Sequence, residues 1–300
     1  MIISVVIPVL NCATFIEEAV RSALNQGEIV GEVIVVDDSS TDDTVDIVRS
    51  ILDPRVRVVS NRGQGTSAAR NTGVAASRGQ WLHFLDADDR LRPGGLNALL
   101  SAVDQFQSVE VVYGDYERID SKGLRIGRRG ILRLRVKPSG HILLSLLRGN
   151  FILVGALICR RSVFDLSGGF NENLTLCEDW HFWCRLATVA TFLHAPKSYI
   201  FDYRIHAMST MHATPRQFSQ YKPAIELVFK DPAILDRVSG PALAALRPIA
   251  EASLMTYTAT EAIRLGAYAI SAQSTWRAIR TAPSQTPRVL SRVFGTVVGL

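Results

Sequence analysis

The chain holds 300 residues, 47% of them hydrophobic and 20% charged, with a net charge of +5. This balance excludes disordered and collagen-like chains, and the length predicts one large α/β catalytic domain with an appended C-terminal region. The pI of about 9.2 comes with no helix-turn-helix, zinc or RNA-binding signature, which argues against nucleic acid as a partner.

In chain order, β-rich runs at 2–7, 33–36, 56–59, 81–85 and 109–113 predict strands. Apolar residues at helical spacing predict helices over 15–25, 42–52, 66–77 and 94–104, as with Ile16, Val20 and Leu24, or Val45, Val48 and Leu52. Strands that alternate with helices and are apolar almost throughout mean a mostly parallel sheet covered on both faces. After residue 114 the regularity gives way to a basic stretch over 118–137, in which Arg118, Lys122, Arg125, Arg128, Arg129, Arg133, Arg135 and Lys137 face only Asp120. A helix near 141–148 and a second set of short strands follow.

From about Pro215 the pattern turns helical and proline-punctuated, so the expected organisation is 1–214, divided at 114/115, followed by a helical region over 215–300. Residues 265–300 contain Arg277, Arg280, Arg288 and Arg292 and no acidic residue, and Val289, Leu290, Val293, Phe294, Val297 and Val298 share one helical stripe. Such a helix packs against the rest of the protein or lies in the headgroup region of an anionic membrane. Cys12, Cys159, Cys177 and Cys184 show neither metal-ligand spacing nor disulfide-scaffold density. The first residues lack a signal-peptide core, and the apolar run over 151–159 is half a membrane span. The expectation is a cytoplasmic protein that contacts a membrane, if at all, from its inner face.

Ligands of open parallel sheets bind beyond the carboxyl ends of the strands. The run 33–36 leads directly into Asp37, Asp38, Ser39, Ser40, Thr41 and Asp42, and the run 81–85 into Asp86, Ala87, Asp88 and Asp89. Ser40 followed by Asp43 predicts a cap on a helix starting near Thr41, and capping accounts for Asp42 and Asp43. It does not account for Asp37 and Asp38, nor for three carboxylates within 86–89, whose repulsion is costly without a cation. An Asp-x-Asp arrangement can point at one Mg²⁺ or Mn²⁺ and leave coordination positions for diphosphate oxygens.

Four motifs now stand in order: Ser4-Val-Val-Ile-Pro-Val-Leu-Asn11, Val36-Asp-Asp-Ser-Ser-Thr-Asp42, Ala69-Arg-Asn-Thr-Gly73 and Leu85-Asp-Ala-Asp-Asp89. Together they resemble family 2 of the inverting glycosyltransferases, with the GT-A fold, through about residue 212. The resemblance implies a nucleotide-sugar donor, with UDP the expected carrier, and a glycan or lipid-linked acceptor. It also implies that Pro8 lines the base pocket, Asp38 hydrogen-bonds the base, Arg70 lies near the nucleotide, Asp86 sits by the ribose and sugar, and Asp88 is the principal metal ligand. For Arg70 the alternative is an ordinary helix-surface ion pair.

Inversion requires a base on the face opposite the departing nucleotide. Glu178-Asp-Trp180, after Gly168-Gly-Phe-Asn171, looks like the acceptor-side Glu-Asp motif of that family and assigns the base to Asp179, a position equally suited to a helix N-cap. Trp180 and Trp183 offer faces for a sugar or for the core. Tyr203-Arg-Ile-His-Ala-Met-Ser209 resembles the segment that closes over the diphosphate, with His206 as a second metal ligand and Arg204 beside the leaving group. A sugar nucleotidyltransferase would need an early glycine-rich loop, whereas Pro8-Val-Leu-Asn11 has none and Gly63-Gln-Gly65 follows the third strand. A non-catalytic scaffolding relative would have lost carboxylates that are present here, Asp38, Asp86, Asp88 and Asp179.

Overall fold

The computed structural model describes residues 2–106, 108–126, 137–207, 209 and 214–297. Its first half is β1 (Ile3–Val9), α1 (Ile16–Leu24), β2 (Val30–Asp37), α2 (Thr44–Arg49), β3 (Val56–Ser60), α3 (Gly65–Ala76) and β4 (Trp81–Phe84). The strands pair in parallel in the order β3-β2-β1-β4. Because successive strand side chains face opposite ways, β1 feeds two cores. Ile3, Val5 and Ile7 pack with Ile16, Ala19 and Val20 on one side, and Val6 packs with Ala69 and Val74 on the other. Gly73 permits the second contact, since a Cβ there would stand 2.3 Å from Val6 Cγ1.

The second half comprises β5 (Arg90–Leu91), α4 (Gly95–Gln105), β6 (Val111–Ile119), α5 (Leu143–Leu146), β7 (Leu157–Arg160), α6 (Arg161–Ser167), α7 (Glu178–Leu186) and β8 (Phe192–Arg204). It extends the sheet to eight strands in the order β3-β2-β1-β4-β7-β6-β8-β5. The predicted strand at 109–113 is part of β6, and β7 is inserted antiparallel between β4 and β6. β8 returns parallel to β6 and carries β5 antiparallel on its edge, so the first four strands pair in parallel throughout and the rest of the sheet is mixed.

One local expectation changes. The helix expected over 42–52 stops at Arg49, and Leu52, placed on its apolar stripe, is 97% exposed. Pro54 disfavours helical backbone before it, and Asp53 N donates to Ile51 O instead. In the basic stretch, Arg125 pairs with Glu117 at 3.3 Å and Lys137 with Asp115 at 3.0 Å. Arg128, Arg129, Arg133 and Arg135 lie outside the described residues.

The remainder is helical: α8 (Lys222–Lys230), α9 (Pro232–Leu235), α10 (Gly240–Arg264), α11 (Tyr268–Thr281) and α12 (Thr286–Val297). Ile225, Val228, Phe229, Leu243 and Leu246 join the core that holds Val6, Leu82 and Trp183, so the core runs across residue 215 although the strands end before it. A smaller cluster of Ala252, Met255, Ala278, Ala282 and Val289 secures α11 and α12. The stripe expected on α12 splits: Val289 packs inward, while Leu290 and Phe294 are 49% and 67% exposed. Among the described residues no helix is long and apolar enough to cross a membrane.

Candidate active site

The carboxyl ends of β1 and β2 form one wall. Pro8 is buried in β1 opposite Val36. Asp38 N donates to Val9 O at 2.8 Å, and its carboxylate accepts from Asn61 Nδ2 at 2.7 Å and Gly65 N at 2.8 Å. Asn11 and Ser39 take left-handed backbone, a conformation open to Asn and costly for Ser. There Asn11 N donates to Ser40 Oγ at 3.0 Å, and Thr41 N donates to Asn11 Oδ1 at 2.7 Å. This clasp replaces the expected Ser40–Asp43 capping box: α2 begins at Thr44, and Asp43 makes no side-chain cap bond. Asp42 instead accepts from Ala13 N and Thr44 N, each at 3.1 Å.

Arg70, on α3, is buried at the centre. Its Nη2 donates to Asp86 Oδ1 and its Nη1 to Glu178 Oε1, both at 2.8 Å, and its guanidinium lies 5.2 Å from the Phe170 ring centroid. It thus joins the end of β4 to the start of α7 and is far from a helix-surface pair. Burial alone would lower its pKa, but the carboxylates of Asp86 and Glu178 outweigh that and hold it above the ordinary value. Asp86, half-buried, moves up chiefly through desolvation, with Arg70 opposing and Asp88 reinforcing.

Asp88 and His206 meet, His206 Nε2 standing 2.9 Å from Asp88 Oδ2. The imidazole rests on Phe15, with ring centroids 4.8 Å apart. Arg204 is buried beside them. Its Nε donates to Asp88 O at 2.7 Å, its Nη1 to Asp120 O and Ser121 O, and its Nη2 pairs with Glu18. The same residue's backbone N donates to Asp89 Oδ1 at 2.8 Å, and burial together with Asp88 and Asp86 raises the Asp89 carboxyl well above its usual range. Arg204 therefore braces the loop that presents Asp88, every nitrogen of its guanidinium being engaged by protein acceptors.

Asp179 opens α7. Its Oδ1 accepts from Trp180 N at 2.7 Å and its Oδ2 from Asn150 Nδ2 at 2.8 Å. Burial, then the neighbouring Glu178, pushes this carboxyl up from 3.8 to about 7 against the pull of Arg70. Both tryptophans belong to the core: Trp180 Nε1 donates to Leu146 O at 2.7 Å and Trp183 Nε1 to Ile152 O at 3.2 Å. Neither offers a face to a sugar. Reading the sequence alone misses Glu18, Asn150 and Asn61. Glu18 is indistinguishable from Glu17 on an exposed helix, and the two asparagines occupy loops without pattern; their roles arise from contacts across 186, 29 and 23 residues.

The residues present suit a divalent cation. Asp88 supplies carboxylate oxygen and His206 imidazole nitrogen, already converging on one point, and a substrate diphosphate with water would complete six-fold coordination. Among the described residues no group of three or more His, Cys, Asp or Glu is gathered where it could hold a metal ion.

In the solved structures, S. aureus TarS 1–349 in complex with UDP-GlcNAc matches with a TM-score of 0.67 at 18% identity, over 100% of this chain and 88% of that one. That likeness establishes the class of fold, the GT-A fold of glycosyltransferases. The model of glycosyl transferase family 2 matches residues 4–165, and the chain belongs to that family. Among curated relatives, the Escherichia coli chondroitin synthase is 32% identical over 206 residues, 65% of this chain and 28% of that protein. The succinoglycan biosynthesis protein ExoO of Rhizobium meliloti (strain 1021) is 38% identical over 186 residues, 59% of this chain and 53% of that protein. The chain thus spans about half or less of the length of these relatives.

Proposed function

We propose that the chain is an inverting glycosyltransferase that moves a sugar from a nucleotide-diphosphate donor, with UDP as carrier, to a hydroxyl of a glycan or lipid-linked glycan. The observation that carries this reading is Arg70, which ties Asp86 on the strand-end side to Glu178 beside Asp179. It holds donor-side and acceptor-side carboxylates in one rigid constellation, the positioning that displacement chemistry needs.

In this reading Pro8 and the Asn11–Thr41 clasp wall the base. Asp38, held by Asn61 and Gly65, keeps unused lone pairs to accept a base N–H. Asp86 lies by the ribose and sugar. Asp88 and His206 hold Mn²⁺ or Mg²⁺. When bound, the ion neutralises charge growing on the leaving diphosphate. Arg204 serves that end by fixing the Asp88 loop. Asp179, on a separate element, accepts the proton of the incoming hydroxyl as the acceptor oxygen bonds to the anomeric carbon and the diphosphate oxygen leaves with its electron pair. The domain division at 214/215 is kept as one of roles: residues 1–214 bear every group named, and 215–300 support them.

A single displacement inverts the anomeric centre. Proton NMR of the product formed from an α-linked UDP-sugar is expected to show a β-linkage; a retained α-configuration contradicts the mechanism. We also assign a cytoplasmic site at the inner membrane face, through residues 265–300, where four arginines and no acid accompany exposed Trp276, Leu290 and Phe294. Flotation with anionic vesicles is expected to fall in Leu290→Ser/Phe294→Ser; equal flotation of variant and parent removes the contact.

A further inference from the structure

We propose that Asn150 is the positioning residue of the catalytic site, orienting the Asp179 carboxylate and holding it in its proton-accepting form, and that α10 keeps Asn150 in place. The inference rests on the reading of Asp179 as the base.

Asn150 stands on an exposed loop, and one backbone bond orients its amide. Its Oδ1 accepts from Ile152 N at 3.1 Å, a bond that only the oxygen end of the amide can make. The Nδ2 end is thereby turned to Asp179 Oδ2, 2.8 Å away, and donates to it. The segment carrying Asn150 is clamped at both ends by α7 itself: Trp180 Nε1 donates to Leu146 O before it, and Trp183 Nε1 to Ile152 O after it. Base and orienting amide are thus built into one frame.

The chain reaches Asn150 through Gly149, whose φ of +140° other residues rarely adopt, and a Cβ at Gly149 would lie 2.5 Å from Ser253 Oγ on α10. Helix α10 therefore forms the wall against which this turn is pressed. That gives part of the helical region a place in the site.

The charged and titratable groups facing Asp179 are Glu178 on its own helix, Arg70 from α3, and the thiols of Cys177 and Cys184, with Arg216 beyond Cys177. Glu178 is already paired to Arg70, so the neutral donors that favour the ionised Asp179 are Trp180 N and, as the one side chain, Asn150 Nδ2. Removing it leaves burial and Glu178 less opposed, and the carboxyl holds its proton to higher pH.

The test is a carboxyl-carbon NMR titration of protein labelled with ¹³C-aspartate, the Asp179 signal being identified by its loss in Asp179→Asn. Asn150→Ala is expected to move the Asp179 midpoint upward by about half to one pH unit. Asn150→Asp, which keeps the shape and loses the donor, is expected to move it at least as far. UDP affinity, read by calorimetry, stays unchanged and reports that both variants are folded. Hydrolysis of the UDP-sugar that the wild type turns over fastest is expected to drop about tenfold in both at pH 7. An unmoved midpoint with Asp179→Asn inactive overturns the role of Asn150 alone. A fully active Asp179→Asn removes the base reading, and the catalytic meaning of Asn150 with it.

Discussion

Asp179→Asn is expected to lower kcat by about 10²–10⁴-fold while leaving UDP affinity within about twofold, because the amide cannot take a proton and touches nothing in the base pocket. The wild-type activity should rise with pH through about 7, where this carboxyl loses its proton, and not near 4 where a solvated aspartate would. Stability carries the opposite sign. The folded protein holds this proton up to about 7 and the unfolded chain releases it near 3.8, so between these values the native state binds more protons. The favourable contribution of protonated Asp179 is present at low pH and is lost as pH rises through 7. Melting curves at pH 5 and pH 8 should therefore show Asp179→Asn gaining on the wild type toward pH 8. A gap that does not change with pH removes the burial argument for the raised pKa, and a fully active variant removes Asp179 from catalysis.

Arg70→Met is expected to destabilise the protein by about 3–5 kcal/mol, seen as a fall of roughly 10 °C in Tm, and to abolish turnover. The side chain is buried between two carboxylates, and its removal strands Asp86 and Glu178 without a counter-charge. Arg70→Lys should recover little, since one ammonium cannot reproduce the two divergent N–H bonds that the guanidinium makes to Asp86 and Glu178. Combining Arg70→Met with Glu178→Gln should restore part of the Tm and none of the activity. A Tm for Arg70→Met within about 2 °C of the wild type would mean that the pair is solvated and worth no more than a surface bridge.

The parts of the site that were legible in the sequence are those where chemistry adjoins a regular element. A parallel strand points its carboxyl end into the crevice, so apolar runs followed at once by Asp37 and Asp38, or by Asp86 to Asp89, betray both strand and site. Arg70 was legible as a position but not as a bridge, because its partners lie 16 and 108 residues away and nothing local distinguishes them. β7 was expected only within a second set of short strands, without bounds or partners, because four residues, Leu157–Arg160, are too few to show a period, and its insertion between β4 and β6 depends on partners distant in the chain. Leu52 misled because helical spacing continues past the point where Pro54 ends the helix. Trp180 and Trp183 were ambiguous for a plain reason: an indole that stacks on sugar and one that anchors a core loop are the same residue, and only the acceptors Leu146 O and Ile152 O decide between them. Arg204, expected at the leaving group, has its guanidinium bonded to Asp88 O, Asp120 O, Ser121 O and Glu18, partners distant in the chain that no local pattern shows.

The proposed function requires a metal-assisted nucleotide-diphosphate site built on Asp38, Asp88 and His206. The deciding experiment is calorimetric titration of the purified protein with UDP, GDP and dTDP, each with and without Mn²⁺, beside Asp88→Ala. UDP is expected to bind, Mn²⁺ to tighten binding at least tenfold, about 1.4 kcal/mol, and Asp88→Ala to abolish the effect of the ion while the metal-free affinity stays. Failure of all three nucleotides to bind with or without Mn²⁺ would contradict it.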